Sequence, residues 1–141
     1  MDKALNYLAL ARKAGLAELG EEPVGAVARD GKAYLIAVAS DASDHTWRRA
    51  KSYVAGTKQI ALRLPFTKDE MGLSVGRTSL AIAAFTDPAL ALACVKALPQ
   101  PEKYAAELQS LEERTQRLQQ RQKEAKAHEK NKRFGKARKM K

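Results

Sequence analysis

The chain has 141 residues, about the length of a single domain, and 45% of them are hydrophobic, which is enough to build a buried core. These values argue against a fibrous, collagen-like or wholly disordered protein. Lys and Arg total 26 against 16 Asp and Glu, so the formal net charge at pH 7 is +10, and such a surface attracts polyanions.

Residues that could bind metal or form disulfides are few: one cysteine, Cys94, and two histidines, His45 and His128. A lone cysteine cannot close an internal disulfide or supply a multi-cysteine zinc site, so we expect no metal and no cofactor. No run reaches the roughly 18 apolar residues that a membrane span needs, and the first fourteen residues lack a secretory-signal pattern. We therefore expect a cytoplasmic protein with no membrane partner.

In the first 101 residues, short apolar segments alternate with segments of helical period, the pattern of an α/β domain. Helices are predicted at 3–14, 22–30, 43–54, 68–75 and 88–98. Strands are predicted at 33–39, 59–64 and 79–85, with a short fourth strand at 16–19. The continuous apolar run 33–39 is typical of a central strand buried on both faces. The alternation predicts helices on both faces of a small sheet of about four strands.

A change in composition at Pro99-Gln100-Pro101 predicts a boundary, because two prolines disfavour helix in the residues before them. Residues 1–101 carry 13 Lys and Arg against 10 Asp and Glu, whereas residues 102–141 carry 13 against 6. We divide the chain into a domain at 1–98, a proline linker at 99–101 and a basic, mostly helical tail at 102–141. Few large apolar residues occur in the tail, which predicts a solvated helix that frays over residues 130–141.

Enzymatic interpretations of individual residues have simpler structural alternatives. Cys94 falls on the apolar face of a predicted helix, as a buried small side chain would. His45 lies in a predicted first turn, and Asp41, Ser43 and Asp44 have the spacing of helix caps. Neither glycine-rich phosphate-loop spacing is present. We therefore predict no catalytic residues, and the concentrated basic charge favours nucleic acid as the partner.

Five local sequences, in this order and spacing, resemble the kink-turn RNA-binding ribosomal-protein family, the ribosomal protein L-seven-Ae superfamily, and most closely its bacterial ribosomal-protein-like branch. They are LALARKAG at 8–15, Gly20-Glu21-Glu22, LIAVASDAS at 35–43, EMGLSVGR at 70–77 and IAAFTD at 82–87. The resemblance implies a three-layer α/β/α sandwich. It covers about residues 5–98, and the chain departs from the family's pattern at Pro23 and Ala26.

The resemblance also implies where RNA binds: at the amino end of the second helix and in the loop after the fourth helix. A glycine there permits close approach of the backbone, and free amides at a helix start can bond RNA. Gly20-Glu21-Glu22-Pro23 fits an ordinary acidic helix start equally well. Nearby cations belong to the candidate set because they can supply charge. The candidate RNA-binding residues are Gly20, Glu21, Glu22, Arg29, Lys32, Arg77, Thr78 and Ser79.

Two hypotheses follow from the sequence. The first is a non-enzymatic RNA-binding protein whose partner is a structured RNA, of kink-turn or ribosomal-RNA type, and by resemblance the ribosome. The second is a protein-interaction module that has lost RNA readout and docks a partner through the C-terminal helix. Leu108, Leu111 and Leu118 would be its apolar anchors.

Overall fold

The computed structural model describes residues 2–139 of the chain, and the side-chain environments of residues 2–129. Its helices and strands, in chain order, are α1 (Lys3–Lys13), β1 (Ala17–Leu19), α2 (Glu21–Arg29), β2 (Leu35–Val38), α3 (Asp44–Val54), β3 (Ile60–Arg63), α4 (Lys68–Ser74), β4 (Ile82–Phe85), α5 (Pro88–Lys96), a 3-10 turn (Pro101–Tyr104) and α6 (Ala105–Lys139). Each predicted strand and helix of the first 101 residues corresponds to one of these elements, including the short first strand.

The four strands form one mixed sheet in the order β1-β4-β2-β3. Strand β4 runs antiparallel to both of its neighbours, whereas β2 and β3 are parallel. All four residues of β2 are buried, which confirms the prediction of a central strand covered on both faces. Each end of the sheet along the strand direction is called an edge here, as distinct from the outer strands β1 and β3. One follows the carboxyl end of β2, and the other precedes its amino end.

Helices cover both faces of the sheet, so the domain is the expected α/β/α sandwich. Helices α2 and α3 pack on each other, α2 over β1 and β4 and α3 over β2 and β3. Helix α1 packs against α4 and α5 in the opposite layer. The core lies between these layers, with Phe85, Leu35 and Ile36 among its largest fully buried side chains.

Side chains accept hydrogen bonds from backbone amides where several helices and strands begin. Ser43 Oγ accepts from the amide of Thr46 at 3.1 Å, which confirms Ser43 as the cap of α3. Asp41 instead accepts from the amide of Lys68 at 2.8 Å, and so joins the loop after β2 to the start of α4. The amide of Ala33 donates to Oε1 of the buried Gln59 side chain at 3.0 Å instead of to a carbonyl of a neighbouring strand. Strand β2 therefore begins at Leu35, later than the predicted residue 33.

The C-terminal segment is helical and exposed over residues 119–129, as expected, but its first turns pack against the domain. Helix α6 continues through Lys139, and residues 140–141 lie outside the described residues. Its first turns pack on α5, where Leu111 is fully buried and Leu108 lies against the core. Leu111 can reach the core because the 3-10 turn after Pro99 directs α6 back along the domain. The division at 99–101 stays a prediction, but the first turns of α6 share the core of the preceding domain.

Among the described residues, the structure contains no helix long and apolar enough to span a membrane.

Candidate nucleic-acid interface

Two segments that are far apart in sequence meet at the edge of the sheet beyond the carboxyl end of β2. Leu19, at the end of β1, pairs with Ala83 of β4, and Val38 pairs with Ile82. The amide of Gly20 donates to the carbonyl of Ile82 at 3.0 Å. Because β1 and β4 are antiparallel, the start of α2 and the loop before β4 emerge side by side.

Gly20 begins α2 with a backbone that only glycine adopts readily. Its φ is 97° and its ψ is 162°, a region where a side chain is strained. Side chains cap α1, α3, α4 and α5, but Gly20 offers no side-chain cap to α2. The first helical hydrogen bond of α2 runs from the amide of Val24 to the Gly20 carbonyl at 3.1 Å. The amides of Glu21 and Glu22 precede that bond and lie at the positive end of the helix.

The loop 76–79 lies close against α4 and next to Gly20. A Cβ atom built on Gly72 would lie 2.8 Å from Arg77 O and 2.8 Å from Ser79 Cα, so only glycine lets the loop approach α4 in this way. A Cβ atom built on Gly20 would lie 4.0 Å from Arg77 Nη1. Arg77, Thr78 and Ser79 are exposed. The structure thus places Arg77 close to Gly20.

The two glutamates at the start of α2 have different environments. Glu21 accepts from Thr46 Oγ1 at 3.0 Å and from Arg49 Nη1 at 3.1 Å, so its carboxylate joins α2 to α3. Glu22 is exposed and makes no such contact within the described residues. The Glu22 carboxylate is therefore free to accept a hydrogen bond from a ligand, whereas the Glu21 carboxylate is bound to side chains of α3.

Arg29 lies along the same face of α2 as the acidic pair. A cleft of ≈ 320 Å³ between α2 and α3 is lined by Glu21, Glu22, Gly25, Arg29, Arg49 and Tyr53. Gly25 lets Tyr53 pack close to α2, since a Cβ there would lie 3.0 Å from Tyr53 Oη. The sequence does not identify Arg49 or Tyr53 as site residues. The charged residues of α3 are typical of any exposed helix, so the sequence of α3 does not indicate a role for Arg49 or Tyr53.

Lys32 lies away from this group. Its amide donates to the carbonyl of Val27 at 2.9 Å in the turn that ends α2, and it leads directly into β2. Lys32 is exposed at the opposite edge of the sheet from Gly20 and Arg77. The structure brings together seven of the eight candidate residues along one edge and the adjoining cleft, and places Lys32 elsewhere.

Cys94 and His45, the groups considered for catalysis, lie in opposite helical layers of the domain. Burial, with a smaller contribution from Asp2, raises the pKa of the Cys94 thiol to about 12, so the thiol is protonated at neutral pH. His45 is exposed in the first turn of α3. The described part of the chain contains no group of three or more His, Cys, Asp or Glu arranged to hold a metal ion.

No protein-family model matches the sequence, and no curated protein matches it. Solved structures do match the fold. A protein of unknown function from Bacillus halodurans C superposes with a TM-score of 0.60 at 21% identity, covering 77% of this chain and 99% of that chain. The 15.5 kD RNA-binding protein of Giardia lamblia superposes with a TM-score of 0.59 at 16% identity, covering 74% and 87%. The chain shares its fold with both. At these identities the likeness concerns the fold alone.

Proposed function

We propose that the protein is a non-enzymatic, cytoplasmic RNA-binding protein that recognises a sharply bent RNA of kink-turn type, in the manner of a ribosomal protein. The observation that carries this proposal is the meeting of Gly20 and Arg77 at one edge of the sheet. An uncapped helix start and an exposed arginine there face the same region of solvent. RNA presents phosphates and unstacked base edges, which need these hydrogen-bond donors and cations.

Each exposed group at this edge has a chemical role in the proposal. The amides of Glu21 and Glu22 donate to base or phosphate oxygens, and Gly20 lets the RNA backbone approach them. The Glu22 carboxylate accepts from an exocyclic amino group of a base. Arg77 binds a phosphate or the edge of a guanine. Arg29, in the cleft beside α2, extends the positive charge along the same surface.

Two findings support this proposal over the alternative hypothesis. The RNA-binding protein of Giardia lamblia has the same fold, with 74% of this chain covered. In addition, two of the three leucines required by the protein-interaction hypothesis are already used, since Leu111 is buried in the core and Leu108 packs against it. Leu111 therefore cannot serve as an anchor for a separate partner, and Leu108 is accessible only in part.

The test compares binding of the full chain to a kink-turn RNA and to an unbent RNA duplex of equal length. We expect the unmutated protein to prefer the kink-turn RNA, and Arg77→Ala to lose about 1 to 3 kcal/mol of that preference. Arg12→Ala, an exposed arginine in the last turn of α1, is the matched control and should leave the preference unchanged. Arg77 is a cleaner test than Gly20, whose replacement would strain the backbone. Equal affinity of the unmutated protein for both RNAs, or binding to neither, would overturn the proposal.

A further inference from the structure

A second group of cations lies at the opposite edge of the sheet. Helix α6 crosses this edge, and a cleft of ≈ 190 Å³ there is lined by Tyr34, Lys58, Arg114, Arg117, Leu118 and Arg121. Four of the six residues are Lys or Arg, and no carboxylate is among them. Three of these cations come from α6 and one from the loop before β3, so the cleft exists only because α6 packs against the domain.

Arg114 is held at the centre of this cleft. Its guanidinium carbon lies 4.2 Å from the centroid of the Tyr34 ring, and its Nη1 donates to the Lys58 carbonyl at 3.0 Å. Partial burial lowers the pKa of Arg114 from its ordinary value, although its interaction with Tyr34 acts in the opposite direction. These contacts fix a positive charge next to the free cations of the cleft and fix α6 relative to the sheet.

The other three cations are exposed, and none of them forms an ion pair within the described residues; Glu113, one helical turn before Arg117, lines an adjoining cleft with it. The ion pairs found among residues 2–129 are Glu21–Arg49 and Lys96–Glu112, and neither includes a residue of this cleft. Arg117 and Arg121 are one helical turn apart, about 6 Å along the axis, and therefore lie on the same face of α6. Lys58 faces them from the domain. Such a concentration of positive charge attracts polyanions.

We propose that Lys58, Arg117 and Arg121, arranged around the Arg114–Tyr34 pair, form a second RNA-binding surface that holds phosphates without reading bases. This inference rests on the proposed RNA-binding function and extends it to a different surface. Strand β2 has four residues, so the two edges are separated by at least roughly 13 Å at about 3.3 Å per residue. An RNA longer than this separation can contact the Gly20–Arg77 edge and this cleft at the same time. Lys32 is on the same edge as the cleft and adds to its field.

The experiment uses the full chain with the double variant Arg117→Gln/Arg121→Gln and, separately, Lys58→Gln. The matched control is Lys123→Gln/Lys126→Gln. It also removes two positive charges from α6, but at exposed positions outside the cleft. Each protein is titrated with the kink-turn RNA and with the unbent duplex over a range of salt concentrations. Thermal unfolding of each variant checks that the fold is retained.

The double variant should flatten the dependence of log affinity on log salt by about 1.5, since each phosphate that is no longer neutralised contributes roughly 0.7 to 0.9. Lys58→Gln should flatten it by about half as much, and the control by much less. The ratio of affinities for the two RNAs should remain that of the unmutated protein, because phosphate contacts carry no sequence information and both RNAs offer phosphates to the cleft.

The possible results separate this inference from the proposed function. If the double variant and the control give the same salt dependence while the kink-turn preference persists, the second surface is overturned and the proposed function stands. If the unmutated protein binds both RNAs equally and only the cleft variants weaken binding, the second surface is supported and kink-turn recognition fails. If the unmutated protein binds neither RNA, both are overturned.

Discussion

Ser79 passes so close to Gly72 that a Cβ atom on the glycine would lie 2.8 Å from the Ser79 Cα atom. The neighbouring atoms are backbone and cannot rotate away. Helix α4 and the loop that carries Arg77 can thus pack this closely because residue 72 has no side chain.

Gly72→Ala should destabilise the domain by about 1 to 3 kcal/mol, because the loop must move to relieve the overlap. The same movement displaces Arg77, so affinity for the kink-turn RNA should fall as well. Chemical unfolding and RNA titration measure the two effects. Leu73→Ala is the control on the same helix, since Leu73 is 76% exposed and should change neither quantity. A Gly72→Ala protein with unmutated stability and affinity would contradict this account of the loop.

Glu21→Ala should destabilise the domain by about 1 kcal/mol, because it removes a partly exposed ion pair with Arg49 and a hydrogen bond with Thr46. Glu22→Ala should leave stability unchanged, since Glu22 is exposed. Urea unfolding of both variants gives the comparison. In RNA titrations we expect the opposite order, with Glu22→Ala causing the larger loss of kink-turn preference. Equal stability losses would mean that the α2–α3 contact has no energetic role.

Leu111→Ala should cost about 2 to 5 kcal/mol, the usual range for emptying a fully buried leucine site. Leu118→Ala, in the half-buried part of the same helix, should cost clearly less. Thermal or chemical unfolding distinguishes them. If both substitutions proved neutral, α6 would not be part of the folded domain, and the boundary at 99–101 would also be the limit of the core.

Deletion of residues 124–141 removes eight Lys and Arg and the two acidic residues Glu124 and Glu129. Leu111 and the Arg114–Tyr34 contact remain, so the melting temperature should change little. RNA affinity should fall, and the dependence of log affinity on log salt should flatten by roughly 0.7 to 0.9 for each phosphate that these residues neutralise. Identical salt slopes with and without these residues would show that their charge does not contact RNA.

Cys94 should make the stability of the domain sensitive to alkaline pH. Its pKa rises from 9.0 to about 12 on folding, so the folded state keeps a proton that the unfolded state loses. The resulting stabilisation is complete below pH 9 and is lost as pH rises toward 12, by at most about 1.4 kcal/mol per pH unit. Urea unfolding of the unmutated protein and of Cys94→Ala between about pH 7 and pH 10.5 measures this. The stability difference between them should be constant below pH 9 and should shrink above it; a constant difference throughout would refute the prediction.

The order of helices and strands is readable from the sequence, because each element has its own apolar period and end signals. The run 33–39 is apolar throughout and contains a fully buried strand, and Pro88 begins α5 with Asp87 as its cap. The start of α2 is also correctly located, since glycine followed by two acids is a local signal. Such features depend on neighbouring residues along the chain and on little else.

What the residues contact depends on tertiary structure. Leu111 sits in a segment that is polar on average, and its burial depends on the path of α6 back onto α5. Glu21 and Glu22 are identical and adjacent, yet only Glu21 meets α3, since successive helical residues point about 100° apart. Arg114 likewise contacts Tyr34 and Lys58, which are far away in sequence, near the edge of the sheet where Lys32 lies. The sequence alone determined the order of helices and strands. For RNA binding it supplied a hypothesis that concerns one edge of the sheet. Packing between distant segments decided which charges are free, because an ion pair such as Glu21–Arg49 leaves no periodic signal in either helix.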